Sequence, residues 1–290
     1  MGLPLKQLPD SETYLSAFWG WLYRVGTAQS HEMKTPETPL RPGFHTADEF
    51  ASTKVESGVV AIDSLLGGGL ESGMVHLFYG ERSLHDDFHR IAVKIQTPKE
   101  KGGLECPTII IDSANIIKLE KFTQFAYEYE LEPETVMDRI YVSRAFNSSQ
   151  TYDLIMNQLE GFLDMIPAQM LMITGLPQLY LEEGPKGEGM QEISHMASKL
   201  STLTLRRGIF TLVSAPVSKR SPSFPEGGRT LTGSAQVHVK VSESKSRRTY
   251  TLAKHPQYPV RRTNKTKTVS SGATLPLSYF LRGDESTQEE

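Results

Sequence analysis

The stretch from Gly80 to Asp87 keeps the spacing of a phosphate-binding loop and replaces its working parts. In the pattern G-x-x-x-x-G-K-[ST], backbone amides cradle phosphate oxygens, the lysine neutralises charge and the hydroxyl ligates magnesium. Gly80 holds the first position, but His85 stands at the second glycine, Asp86 at the lysine and Asp87 at the hydroxyl. Carboxylates directed at a triphosphate repel it, most strongly where water is scarce. The expectation is a retained loop scaffold that has lost ATP and magnesium binding.

Alternating elements must position that loop. Val75–Tyr79 reads as the strand entering it and Asp87–Thr97 as the helix leaving it. Strand patterns follow at Thr108–Asp112, Ile140–Arg144, Met170–Thr174 and Phe210–Ala215, with helical patterns at Lys118–Tyr129, Thr151–Met165 and Gln191–Arg206 between them. This order predicts an α/β fold, a mostly parallel sheet covered by helices on both faces. Val237–Val241 and Thr249–Ala253 alternate apolar and polar residues and predict a C-terminal antiparallel hairpin.

Ahead of the sheet, Ser11–Val25 has the spacing of an amphipathic helix with Trp19 and Trp21, and Pro36, Pro39 and Pro42 punctuate a linker. The expected organisation is an N-terminal helix and linker over 1–52, a core over 53–262, and a polar, disordered tail over 263–290. Within the tail, Leu275–Leu281 is apolar enough to dock on a surface.

The chain has 290 residues, a net charge of −3 and one cysteine, Cys106. A single cysteine excludes an internal disulfide framework and a cysteine-built metal site. No apolar run is long enough to span a bilayer, and the first residues lack a secretory plan, so a cytoplasmic or nuclear soluble protein is expected. Charge is uneven. From Lys199 to Lys267 the basic residues are opposed only by Glu226 and Glu243. That third reads either as a face for a polyanion or as a solvated surface balanced by acidic residues elsewhere in the fold.

Four stretches together resemble the RecA/RadA-type strand-exchange recombinases and their paralogues. They are Ile62–Leu70 (IDSLLGGGL), Gln96–Leu104 (QTPKEKGGL), Ile140–Asn147 (IYVSRAFN) and His255–Pro259 (HPQYP). The resemblance implies a RecA-like core and marks two further departures. The family's catalytic glutamate falls on Ala114, which cannot act as a base, and its Walker B aspartate falls on Thr174. With loop lysine, magnesium ligands and base all replaced, the resemblance implies a RadA paralogue without autonomous ATPase activity.

The same resemblance implies partners. Phe44 and Ala47 match a Phe-x-x-Ala polymerisation segment, which inserts into the next protomer, while the alternative packs Phe44 on its own core. The receiving surface maps to Tyr141, Ala145 and Phe146, beside Ser143 and Gln150. One DNA loop of the family maps to Leu179–Glu192, where glutamates outnumber Lys186. The other maps to Val217–Ser234, where Lys219, Arg220 and Arg229 are candidates for single-stranded DNA contact; Arg206, Arg207, Arg247 and Arg248 are weaker ones. Lys254 either faces a neighbour's nucleotide in trans or faces solvent. The expected function is a non-catalytic partner of an active recombinase, or of its own copies, in recombinational repair. The alternatives are an ATPase with a non-standard or shared nucleotide site, and a KaiC-like regulatory module.

Overall fold

A computed structural model of the chain describes residues 53–184, 187–219 and 221–267. They belong to one unit spanning Ser52–Glu290. The helical pattern at 11–25, the anchors Phe44 and Ala47, Arg220, and the apolar stretch 275–281 lie outside the described residues.

The central sheet alternates strands and helices as the sequence predicts. In chain order come β1 (Lys54–Val55), α1 (Val60–Leu66), β2 (Leu70–Glu71), β3 (Val75–Gly80), α2 (Leu84–Lys94), β4 (Thr108–Asp112), α3 (Leu119–Glu128), α4 (Pro133–Asp138) and β5 (Ile140–Arg144). Then α5 (Ser148–Asp153) runs through a π-helical stretch (Leu154–Gln158) into α6 (Leu159–Met165). They are followed by β6 (Met170–Thr174), α7 (Gln178–Glu182), α8 (Gly187–Arg207), β7 (Phe210–Ala215), α9 (Gly228–Ser234), β8 (Val237–Glu243), β9 (Arg247–Lys254) and β10 (Arg261–Thr266). Eight strands form the main sheet in the order β10-β9-β8-β3-β7-β6-β4-β5, while β1 and β2 pair as a separate ribbon.

The inner parallel strands β3, β4, β6 and β7 are largely apolar on both sides because both sides are covered. Phe78, Ile110 and Met172 point into a core shared with α1, α2 and α3. Leu77, Ile109, Ile111 and Ile173 point the other way, onto α6 and α8. Each face carries one set of the two-residue period, so a one-residue slip would exchange the two cores.

The C-terminal part extends the expected hairpin in two respects. β8 pairs parallel to β3 and antiparallel to β9, so it joins the hairpin to the parallel sheet. β10 adds a third strand alongside β9. The expected core boundary at residue 262 therefore falls inside a strand, and the sheet runs to Thr266. What extends it is anchoring on α1: Arg261 Nε donates to the Leu65 carbonyl at 2.8 Å, and Thr263 Oγ1 to that of Ala61 at 2.7 Å. The segment before β10 packs on the same helix. Tyr258 lies between Lys54 and Arg261, 5.1 and 4.3 Å from its ring centre. Its hydroxyl sits so close to Gly67 that a Cβ there would lie 2.4 Å away.

Candidate functional site

The site expected from the sequence lies at the C-terminal ends of β3, β4, β6 and β7, where parallel sheets of this kind hold ligands. Gly80 ends β3 with φ +138°, and a Cβ there would meet the Val241 carbonyl oxygen at 1.9 Å. Only glycine fits, because β8 passes too close for a side chain. The chain then makes a tight turn. The amides of Leu84, His85 and Asp86 donate to the carbonyls of Glu81, Arg82 and Ser83 at 3.0, 3.1 and 3.2 Å, and Glu81 N donates to Val241 at 3.1 Å. These are the amides that a phosphate-cradling loop would point at its ligand. Here those of Leu84, His85 and Asp86 are spent within the turn and that of Glu81 on β8.

The two aspartates part company, which corrects the expectation that both carboxylates face the loop. Asp86 stays at the rim with 45% of its side chain exposed, 3.7 Å from Lys121 Nζ. Asp87 turns away into the interior, where Arg248 Nη1 donates to its two oxygens at 3.1 and 3.2 Å. Tyr250 donates its hydroxyl to the same carboxylate at 2.8 Å. Burial pushes the Asp87 carboxyl above its ordinary range, against the pull of Arg248 and Tyr250. Arg248 was expected as a weak candidate for DNA contact. Instead its side chain is nearly buried and holds α2 to β9.

His85 and His89, one turn apart on α2, fill the space toward the other strand ends. His85 Nε2 lies 3.4 Å from Ser214 Oγ at the end of β7. Burial, then His89 and Arg82, lowers His85 to about 4, so it is neutral at neutral pH. His89 accepts the Lys118 amide on Nε2 at 3.1 Å and donates from Nδ1 to the His85 carbonyl at 2.6 Å.

Beyond them, Asp112 at the end of β4 accepts the Thr174 hydroxyl at 2.7 Å and the amides of Ile116 and Ile117 at 3.1 and 3.2 Å. Arg144 approaches it at 3.5 Å. Thr174 in turn accepts the Ala114 amide at 3.3 Å. The methyl of Ala114 faces Gly175 so closely that a Cβ at 175 would lie 2.7 Å from it. Asp112, Ala114 and Thr174 are all buried. The strand ends thus close on one another with their polar groups satisfied internally.

The other expected positions fall into three groups. On the edge strand β5, Tyr141 and Val142 are 44% and 42% exposed, and Phe146 beyond it is 73% exposed. A groove of about 230 Å³ lies there, lined by Ile109, Ile111, Tyr141, Val142, Ser143, Phe162 and Ile166. A second of about 410 Å³ adjoins it around Arg144, Phe146 and Gln150. Ala145 does not belong to this surface. It is buried, its amide donating to the Asp112 carbonyl at 3.2 Å. Lys219 and Arg229 are exposed near the start of the 217–234 segment and on α9. The segment is more ordered than a loop reading implies, because α9 fills its end. Likewise α8 begins at Gly187, so most of the expected 179–192 loop is helical. Lys254 Nζ donates to the carbonyls of Thr232 and Ala235 at 3.1 and 2.7 Å, so it is bound to the C-terminal end of α9.

The sequence reading named the basic excess of the C-terminal third and Arg247 within it, but not the face that gathers these side chains. Strand register puts Lys240, Thr251 and Arg262 in one rung, Ser242, Thr249 and Asn264 in the next, and Arg247 with Thr266 beyond. These side chains share the solvent-facing side of β8–β10, and no carboxylate is among them. Glu243 pairs with Arg248 on the opposite side, the side that carries Val241 and Tyr250. The alternation of basic or hydroxyl residues along these strands was its visible signal.

A mostly parallel sheet flanked by helices and closed by an antiparallel C-terminal extension defines the RecA-like α/β fold. A Rad51 family model matches residues 51–213, more than half of the 290 residues. The chain belongs to the Rad51 family, whose members work in recombination and repair. Among the described residues, no helix is long and apolar enough to cross a membrane.

The Asp87–Arg248–Tyr250 cluster predicts a specific stability effect. Arg248→Met is expected to cost about 3 kcal/mol in urea unfolding, because it strands a buried carboxylate, whereas Asp87→Asn combined with Arg248→Met costs less than Arg248→Met alone. An unchanged urea midpoint for Arg248→Met would mean that the cluster does not hold α2 to β9.

Proposed function

We propose that this chain is a non-catalytic member of the Rad51 family that joins a recombinase filament through the β5 edge and contacts single-stranded DNA. The single observation that carries the reading is the turn at Glu81–Asp86, where the amides of Leu84, His85 and Asp86 bond within the turn itself. With His85, Asp86 and Asp87 in place of the loop's second glycine, lysine and hydroxyl residue, the residues do not fit a magnesium–nucleotide complex, and hydrolysis depends on positioned charge. Ala114 and Thr174 support the same conclusion, since one has no base and the other's hydroxyl is bonded to Asp112. Calorimetry of the full chain with ATP and magnesium is expected to show no saturable heat. Micromolar binding would overturn the non-catalytic reading and favour an ATPase with a non-standard site.

The β5 edge supports the partner. Among the described residues β5 is paired on one side only; an edge strand offers a row of backbone donors and acceptors, and the apolar groove beside Tyr141 suits an aromatic anchor. Phe44, with the small Ala47 after it, is this chain's own candidate for such an anchor, in another copy or in an active recombinase. Tyr141→Glu is expected to weaken capture of an active Rad51-family recombinase at least tenfold, about 1.4 kcal/mol, and Phe44→Glu to weaken self-association likewise. If both variants associate like the parent, the edge is not the joint.

For DNA, Lys219 and Arg229 are joined by the carboxylate-free face of Lys240, Arg247 and Arg262. Cations without carboxylates among them exchange counterions for phosphate, which ties affinity to salt. Anisotropy with labelled single-stranded DNA is expected to weaken steeply as salt rises, and further in Arg247→Glu and Arg262→Glu. Weak, salt-insensitive binding unaffected by either change would point to a regulatory module unrelated to DNA.

A further inference from the structure

Phe224 has no part in the contacts described so far, and it is 61% exposed. Of the other exposed aromatic residues among those described, Tyr141 and Phe146 flank the β5 edge and Tyr127 stands on α3. The exposure of Phe224 is built into the backbone. Val217 and Pro225 pair as an isolated antiparallel bridge. Beyond it, Ser218 N donates to the Phe224 carbonyl at 2.8 Å, and Phe224 N donates to that of Ser221 at 3.0 Å. Tyr79, near the end of β3, donates its hydroxyl to the Ser223 carbonyl at 2.8 Å. Pro225 is buried, and it favours extended backbone at the residue before it. Neighbours in extended chain face opposite sides, so seating Pro225 inward turns Phe224 outward.

The outward ring stands among cations. Tyr79 is in register with Lys240 of β8, which puts the two side chains on one side of the sheet, one strand apart. The hairpin tip bonded to Tyr79 therefore adjoins the rung that runs from Lys240 through Thr251 to Arg262. Lys219 is exposed within the hairpin, and Arg229 follows on α9. Glu226 is the one carboxylate in residues 217–234, and its Oε1 accepts the Lys219 amide at 2.9 Å. A ring held outward beside cations fits a ligand that carries both flat π-faces and negative charge. A single-stranded polynucleotide supplies both in each repeating unit, a base and a phosphate. A duplex supplies phosphates alone, because its bases are paired and stacked on one another.

We propose that Phe224 is a stacking platform for one unpaired base of a single strand, with Lys219 and Lys240 on the phosphates beside that base. The proposal rests on the DNA contact proposed above and adds to it the ring and a preference for unpaired bases. Cations alone hold single strands and duplexes by the same phosphate exchange. The ring is what tells them apart, and it does so without reading sequence, since every base has a face.

The test is anisotropy of the full chain with three labelled probes of equal length: an oligothymidylate, the same oligomer with abasic residues throughout, and a duplex. Phe224→Ala is expected to weaken binding of the oligothymidylate about tenfold and to leave the abasic oligomer and the duplex unchanged. Phe224→Trp is expected to bind like the parent, and Phe224→Leu, which keeps apolar bulk without a π-face, like Phe224→Ala. The residue is exposed, so none of these changes empties the core. Equal oligothymidylate binding by parent and Phe224→Ala overturns the stacking role, and if that binding still falls with salt, the phosphate contact stands without it. An equal loss on all three probes also overturns it, since the hairpin and not the ring would be responsible. A parent that binds no probe overturns both the ring and the DNA contact beneath it. Loss of recombinase capture by Phe224→Ala with DNA binding unchanged would assign the ring to a protein partner and overturn the proposal too.

Discussion

The structure turns on one buried carboxylate. Asp87 sits in the first turn of α2, and a hydrogen bond from Tyr250 and an ion pair with Arg248 reach it from β9. A carboxylate cannot be left bare in an apolar interior, so these two residues and the strand that carries them are bound to α2. The strand is in turn the middle member of the β8–β10 extension. A single buried pair adds little net stability over apolar residues of similar volume, but removing either partner is costly. Its consequence here is arrangement: α2 is held with His85 and His89 toward the ends of β4 and β7, and Asp86 at the rim.

From that arrangement follows the closure of the strand ends. Ligand sites at the ends of parallel strands exist because backbone and side-chain donors there lack partners of their own. In this chain the partners are internal. After Gly80 the amides of Leu84, His85 and Asp86 bond within the turn, Thr174 and two amides bond to Asp112, and His85 lies beside Ser214. These polar groups find partners in one another, which removes the cost of leaving them bare.

Much of this was legible in the sequence. The inner parallel strands were readable because each is a short, continuous apolar run, Gly80 because a strand leads into it, and Ala114 and Thr174 only through the family resemblance. Four things were not. Asp86 and Asp87 are adjacent and chemically identical, and only the helical phase of α2 separates an exposed rim position from a buried one. Arg248 looked like Arg247 for the same reason, since neighbours on a strand face opposite sides. β10 reads as a polar run, Arg-Arg-Thr-Asn-Lys-Thr, because its outward face and edge meet water and only Arg261 and Thr263 grip α1. Ala145 was misassigned for a simpler reason: a match of residue type says nothing about which side of the backbone its methyl takes.

The two edges of the sheet differ in a way that follows from the same chemistry. At β5 the exposed residues include Tyr141 and Val142, and the neighbouring groove is apolar, so what that edge lacks is hydrophobic cover. At β10 the edge carries arginine, lysine and hydroxyl groups, the composition that keeps an open edge from pairing with other strands. The second edge is thereby protected from strand addition and suited to a charged polymer, while the first is suited to a strand with an aromatic anchor. The fold therefore presents two different kinds of surface, and at β9 and β10 the buried Asp87–Arg248 pair and the α1 contacts set which face turns inward.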